Sequence, residues 1–105
     1  MGAYGCYVRF TAAPGQRDAL VAHLLRAAAS MEQAPECALY FVNTSPTEPE
    51  TVWVTELWRS QAAHDASLNV PGAQEAIRQV IPLLAGAPEK IDVAPVGGKG
   101  FALAE

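Results

Sequence analysis

From Val52 to Leu68 the chain reads VWVTELWRSQAAHDASL. The first half is rich in β-branched and aromatic residues, which suits a strand, and the second half is rich in alanine, which suits a helix. The strand ends in Trp58 and passes directly into the helix, for which Ser60 is a natural N-cap. A large aromatic and the imidazole of His64 are therefore set at one strand-to-helix junction. Any fold for this chain must accommodate that junction.

The remaining elements follow from periodicity and punctuation. Tyr4 to Ala13 alternates, with Tyr4, Cys6, Val8 and Phe10 on one face, and Pro14-Gly15 ends it. From Gln16 to Met31, Leu20, Leu24, Ala27, Ala28 and Met31 recur at helical spacing, and Pro35 breaks the pattern. Cys37 to Thr44 and Thr51 to Trp58 form a hairpin around the turn SPTEPE. After the helix that ends near Leu68, Asn69-Val70-Pro71 starts another, whose apolar face is Ala73, Ala76, Ile77, Val80, Ile81 and Leu84. Pro82 kinks or ends it, and Lys90 to Val96 reads as a last strand.

The order strand, helix, strand, strand, helix pair, strand predicts an α+β fold of the ferredoxin-like split βαβ type. At 105 residues one domain is expected, with a core over about residues 4–96 and a C-terminal tail over 97–105. In this arrangement the first two strands are not neighbours. Cys6 and Cys37 then lie roughly 10 Å apart, too far for a disulfide. The strands also carry apolar residues on both faces, as in Leu39 to Val42 and Val52 to Val54. Helices cover only one face of such a sheet, so the other requires a partner. A homodimer whose two sheets close into an α/β barrel is expected.

Composition excludes several function classes. Half the residues are apolar, but no run approaches the roughly 18 needed for a membrane span. The N-terminus has no secretory pattern, so the expectation is a cytoplasmic protein without membrane association. With net charge -4 and seven scattered Lys and Arg residues, there is no basic stripe for nucleic acid. Two cysteines are too few for a metal finger or a disulfide framework. No phosphate loop, dinucleotide motif or metal-ligand spacing occurs, so neither cofactor nor metal is expected.

The Val52–Leu68 run, with its HDASL segment and the later PVGGKGF, resembles the antibiotic biosynthesis monooxygenase family over about residues 4–101. The match is best to a subgroup of quinol monooxygenase-like proteins. The resemblance implies a small dimeric protein that oxidises a phenolic, quinol or polycyclic aromatic substrate with O2 and no cofactor. In anthrone-oxidising members a Trp ends the third strand, a Tyr follows six residues later, and an Arg lies in the next helix. Trp58 falls on the first position, His64 on the second, and Arg78 within a residue of the third.

Such chemistry needs a base, aromatic walls and a positive group. An imidazole suits the base at neutral pH, Trp58 can stack on a planar ring, and Arg78 can stabilise an enolate or phenolate. Each has a plainer reading as well. Trp58 can plug the core, His64 can be a surface or cap-linked histidine, and Arg78 can be solvated beside Ile77 and Ile81. Glu56 shares strand parity with Trp58, so it is expected to be buried, to need a partner and to line a pocket. Tyr40 and Asn43 are candidates for substrate hydrogen bonds. Asp65 adjoins His64 but points elsewhere on a helix, which argues against a role in orienting the imidazole.

The chain also departs from the characterised branches. Val54 stands where anthrone-type members have Asn. Ser67 and Ile77 stand where the haem-degrading branch has Trp and His, which disfavours haem. Ser67 and Gly72 replace histidines of quinol-oxidising and signal-isomerising relatives. A non-catalytic binding or accessory barrel, or an isomerase or cyclase using the same imidazole, therefore stands beside the oxygenase reading. Gly97-Gly98-Lys99-Gly100 has the backbone freedom to let Phe101 and Leu103 fold back over a pocket or cross to a partner subunit.

Overall fold

In a computed structural model, which describes residues 2–99, the alternating N-terminal segment is strand β1 (Tyr4–Thr11). Gly15, at φ +80, turns the chain into helix α1 (Arg17–Ser30), which tightens into a 3-10 turn over Met31–Gln33. Strands β2 (Cys37–Thr44) and β3 (Thr51–Trp58) form the hairpin, and helices α2 (Gln61–Ser67) and α3 (Pro71–Val80) follow. A second 3-10 turn, Ile81–Leu83, leads to strand β4 (Glu89–Val93). The sheet order is β2-β3-β1-β4, and every pairing is antiparallel. This is the ferredoxin-like α+β arrangement.

Because β3 lies between β1 and β2, Cys6 and Cys37 are on separate, non-adjacent strands, and both thiols are free. The register sets Cys6 opposite Glu56 and Glu56 opposite Tyr40, and it sets Tyr4 opposite Trp58. Strand parity carries each of these rows onto the face that the helices cover. Leu20 and Leu24 of α1 pack there against Ala12, Val52 and Val54, all buried. Fully burying a Leu or Val contributes about 1.5–3 kcal/mol, so burial of Leu20 and Leu24 here holds α1 against the sheet. A second cluster, Tyr4, Cys6 and Trp58, lies at the end of the sheet near α2, with Met31, Cys37 and Ala63 against it.

Two sequence expectations shift at the C-terminal end. Ile77 and Ile81, assigned to the inner face of α3, are 41% and 60% exposed. Pro82, with no N–H to continue the α-helical ladder, ends the helix as expected, and the tighter 3-10 turn leaves Ile81 outward and brings Leu83 inward beside Leu84. Ala12 bridges to Leu84 and Ala13 N–H donates to the Leu83 carbonyl, which ties this turn to the end of β1. The last strand stops at Val93 rather than Val96, two residues before Pro95, which has no N–H to offer a ladder.

The face of the sheet away from the helices is apolar. Tyr7, Phe41, Ile91 and Val93 are exposed on it, with Leu39, Trp53 and Leu57 half-buried among them. Among the described residues no helix is long and apolar enough to cross a membrane. Gly5 sits within this face at the closest approach of three strands. A Cβ there would meet Val93 Cγ2 at 3.0 Å, the Glu56 carbonyl oxygen at 3.2 Å and Leu57 Cδ1 at 3.3 Å. The Glu56 carbonyl belongs to the β1–β3 ladder and cannot retreat without loosening it. Gly5→Ala is therefore expected to destabilise the fold by about 1–3 kcal/mol, measured by urea denaturation. An unchanged midpoint would show that the strands have slack at this point.

Candidate functional site

Strand β3 fixes its last residue by the Arg59 N–H bond to the Glu36 carbonyl at 2.9 Å. Ser60 is extended, and its hydroxyl accepts from the Ala63 N–H at 3.1 Å, so α2 begins at once. His64 lies one turn into α2 on the side facing the sheet and is 4% exposed. The Ser67 hydroxyl donates to the His64 carbonyl at 2.6 Å, satisfying a backbone group near the end of this short helix.

The imidazole enters a small polar cluster inside an apolar frame. Its ring centre is 4.9 Å from that of Tyr4 and 5.7 Å from that of Trp58, the latter meeting it edge-on. Glu56 shares a face with Trp58, as strand alternation requires, and its Oε1 accepts from the Trp58 indole N–H at 2.8 Å. His64 Nε2 lies 3.9 Å from the same Oε1, beyond hydrogen-bond reach. His64 Nδ1 is 2.9 Å from Asp65 Oδ1. A carboxylate only accepts, so Nδ1 carries the proton in this bond, and in the neutral ring the lone pair sits on Nε2.

Contrary to the expectation from helical geometry, Asp65 therefore orients the imidazole. Adjacent Cβ atoms diverge on a helix, but the short, exposed Asp65 side chain bends sideways far enough to reach Nδ1. Carboxylate, imidazole and Nε2 lone pair form a chain aimed inward, which is the arrangement a general base needs. Removing the proton acceptor at Nδ1 would release the ring to either tautomer.

Cys6 and Glu56 are opposite one another on adjacent strands. Cys6 Sγ, a Glu56 carboxylate oxygen and a His64 ring nitrogen all lie within 4.8 Å of one another. Burial, and after it the Glu56 charge, pushes the Cys6 thiol up to about 11. Burial likewise pushes the Tyr4 phenol up to about 12. The Tyr4 hydroxyl donates to Asp92 Oδ1 at 2.8 Å, and this bond holds the Asp92 carboxyl below the usual range. Lys90 Nζ lies 3.5 Å from Asp92 Oδ1 and 5.6 Å over the Tyr4 ring. Tyr4 also lines an open depression of about 380 Å³ together with Gln61, Asp92 and Val93. The Tyr4 ring thus separates that depression from His64.

Of the residues singled out in the sequence, Trp58, His64 and Glu56 come together, and Tyr40 lies opposite Glu56 in the β2–β3 register. Burial, followed by the Glu56 charge, raises the Tyr40 phenol. Trp58 is 2% exposed, so it is a core aromatic that backs His64 rather than an open wall. Arg78 is not brought to this cluster. It is exposed on α3 and ion-paired to Glu75 at 2.7 Å, the solvated alternative raised by its neighbours. Asn43 is on the opposite face of the sheet, where its amide donates to the Trp53 carbonyl and the Thr55 hydroxyl, both at 3.2 Å. Phe101 falls outside the described residues.

The sequence reading missed Tyr4, Cys6, Lys90 and Asp92 as site residues. Lys90 and Asp92 alternate with Ile91 and Val93, which is a visible signal. Their placement, however, depends on β4 pairing with β1, a contact across the whole chain. Sequence spacing also does not show that Cys6 converges with Glu56 and His64, because three separate elements deliver them.

The model of the antibiotic biosynthesis monooxygenase family matches residues 3–79. A solved Chloroflexus aurantiacus J-10-fl structure, itself provisionally named an antibiotic biosynthesis monooxygenase, is 43% identical and superposes with a TM-score of 0.84. The match covers 95% of this chain and 99% of that one. A Caulobacter crescentus CB15 structure of the same provisional name is 25% identical, with a TM-score of 0.86 over 91% and 92% of the two chains. A Mycobacterium tuberculosis structure shares the fold at 23% identity, with a TM-score of 0.82 over 93% and 99%. No curated protein matches. On the family match and the 43% identity, the chain belongs to the antibiotic biosynthesis monooxygenase family.

Proposed function

We propose that this protein is a homodimeric, cofactor-independent monooxygenase that oxidises a small phenolic, quinol or polycyclic aromatic metabolite with O2. The observation that carries the reading is the Asp65–His64 pair, which leaves Nε2 as an unengaged lone pair beside Tyr4 and Trp58. His64 takes the substrate's acidic proton. The electron-rich anion then reduces O2, one oxygen atom entering the substrate and the other leaving as water, with the substrate supplying the electrons. An apolar surround for the anion excludes water and strengthens each electrostatic contact.

Substrate enters from the depression beside Tyr4 and Asp92, with the Tyr4 ring giving way to expose His64. Trp58 holds the carboxylate of Glu56, and the pair keeps the far wall fixed. Tyr40, opposite Glu56, completes that wall. Arg78 has no part in this reading, because Glu75 engages it on the exposed face of α3. The burial of His64 and the openness of the depression favour a second reading, a binding or accessory barrel in which the imidazole is structural.

O2 uptake by metal-stripped protein, against a panel of quinols and anthrone-like phenols, separates the two. The expected result is uptake above the spontaneous rate that falls about 10²–10⁴-fold in His64→Ala, the usual contribution of a positioned base. Saturable binding without uptake would favour the accessory barrel, and turnover without O2 would point to an isomerase or cyclase.

The dimer rests on the apolar outer face of the sheet, since soluble monomers seldom leave such a surface exposed. Light scattering on the purified chain is expected to give about twice 11.1 kDa. Phe41→Asp, at a position 59% exposed, should halve that mass without unfolding the chain. A wild-type monomer at micromolar concentration would refute the dimer.

A further inference from the structure

Three potential metal donors converge beside Trp58. Cys6 comes from β1, Glu56 from β3 and His64 from α2, and their donor atoms all lie within 4.8 Å of one another. Backbone features unrelated to one another fix this convergence: the β1–β3 register and the Ser60 cap that starts α2. None of the three side chains is solvated as an ordinary surface charge. Cys6 is 1% exposed, His64 4%, and the Glu56 side chain 12%. We propose that Cys6, Glu56 and His64 bind a single divalent transition-metal ion, with zinc the best match to the donor set.

A tetrahedral zinc ion with ordinary bond lengths sets its ligand atoms about 3.3–3.6 Å apart. The 3.9 Å between His64 Nε2 and Glu56 Oε1 exceeds that by a few tenths of an ångström, within reach of a side-chain adjustment. Asp65 supplies the outer-shell carboxylate that metal-binding histidines commonly have. It holds Nδ1 at 2.9 Å and leaves Nε2 as the nitrogen on the Glu56 side. The Trp58 indole N–H takes only one lone pair of Glu56 Oε1, and the same oxygen keeps a second for the ion.

Charge supports the same assignment. On binding, the Cys6 thiol gives up its proton to solvent, and thiolate plus carboxylate then balance a dication in a buried site. A thiolate, an imidazole and a carboxylate together favour zinc-class ions over magnesium or calcium, which prefer all-oxygen ligands. Three protein ligands leave a fourth position for water or a small ligand. Tyr4 lies against His64 and lines the open depression, so its movement provides the path for entry.

An ion at this place takes the Nε2 lone pair that the oxygenase reading assigns to proton removal. Base and metal ligand are thus alternative states of one nitrogen, and the inference goes beyond the proposed oxygenase activity. Equilibrium binding tests it without any turnover. Lack of ion binding would leave the oxygenase reading standing, and lack of O2 uptake would leave the ion site standing.

The test is titration of metal-stripped full-length protein with Zn²⁺ against a chromogenic chelator, and with Co²⁺ as a spectroscopic probe. One ion per chain is expected, with a thiolate-to-cobalt charge-transfer band that Cys6→Ser abolishes and Cys37→Ser leaves intact. Asp65→Ala, at an exposed position, should weaken zinc binding at least about tenfold through loss of the outer-shell contact. X-ray absorption on the wild-type cobalt form needs no variant, and it should show one sulfur near 2.3 Å, as for zinc. No stoichiometric binding, a shell of nitrogen and oxygen only, or a band lost in Cys37→Ser instead of Cys6→Ser would each overturn the assignment.

Discussion

The bond from the Trp58 indole to the Glu56 carboxylate, 2.8 Å long, is the constraint on which the rest of the site depends. A half-buried carboxylate costs several kcal/mol unless it is partnered, and a hydrogen bond to a charged group contributes about 1.5–3 kcal/mol in return. Two residues apart on one strand, Glu56 and Trp58 must share a face, so each can stabilise the other only there. Trp58 is thereby held against the end of the sheet, and its edge meets His64. Removing the carboxylate would leave a buried indole N–H without its partner and the His64 ring with a looser neighbour.

The two faces of the sheet divide the labour. The helix-covered face carries the apolar cluster around Leu20, Leu24, Val52 and Val54, and the polar cluster of Tyr4, Glu56, His64 and Asp92 at its end. The other face carries Tyr7, Phe41, Ile91 and Val93 without cover. A sheet of this kind is half a sandwich. In the proposed homodimer its second face meets another copy, whose packing would stiffen β1 and β3, the strands that hold Cys6 and Glu56 in register.

Where interactions are local, the fold was legible in the chain. Alternation located β1, β-branched and aromatic richness around the SPTEPE turn located β2 and β3, the Ser60 cap located α2, and parity put Glu56 with Trp58. Pro82 was legible as the end of the helix, but the facing beyond it was not, because the 3-10 turn that follows Val80 leaves Ile81 outward and brings Leu83 inward. The family resemblance placed Arg78 near the site, but an i to i+3 ion pair with Glu75 on an exposed helix face was the simpler local outcome. Tyr4 and Asp92 could not be paired from sequence, since 88 positions separate them and only the β1–β4 register brings them together. Asp65 was misjudged because the direction of Cβ does not bound the reach of a side chain bonding its immediate neighbour.

The central claim is that Asp65 fixes the His64 ring with its Nδ1 proton outward and its Nε2 lone pair facing Glu56. Long-range ¹H–¹⁵N correlation of the histidine side chains reads that tautomer directly. The account predicts an Nδ1–H tautomer for His64 in the neutral ring, shifting to the Nε2–H form or to a mixture in Asp65→Ala. An Nε2–H tautomer in the wild-type protein, or one indifferent to Asp65, would contradict it.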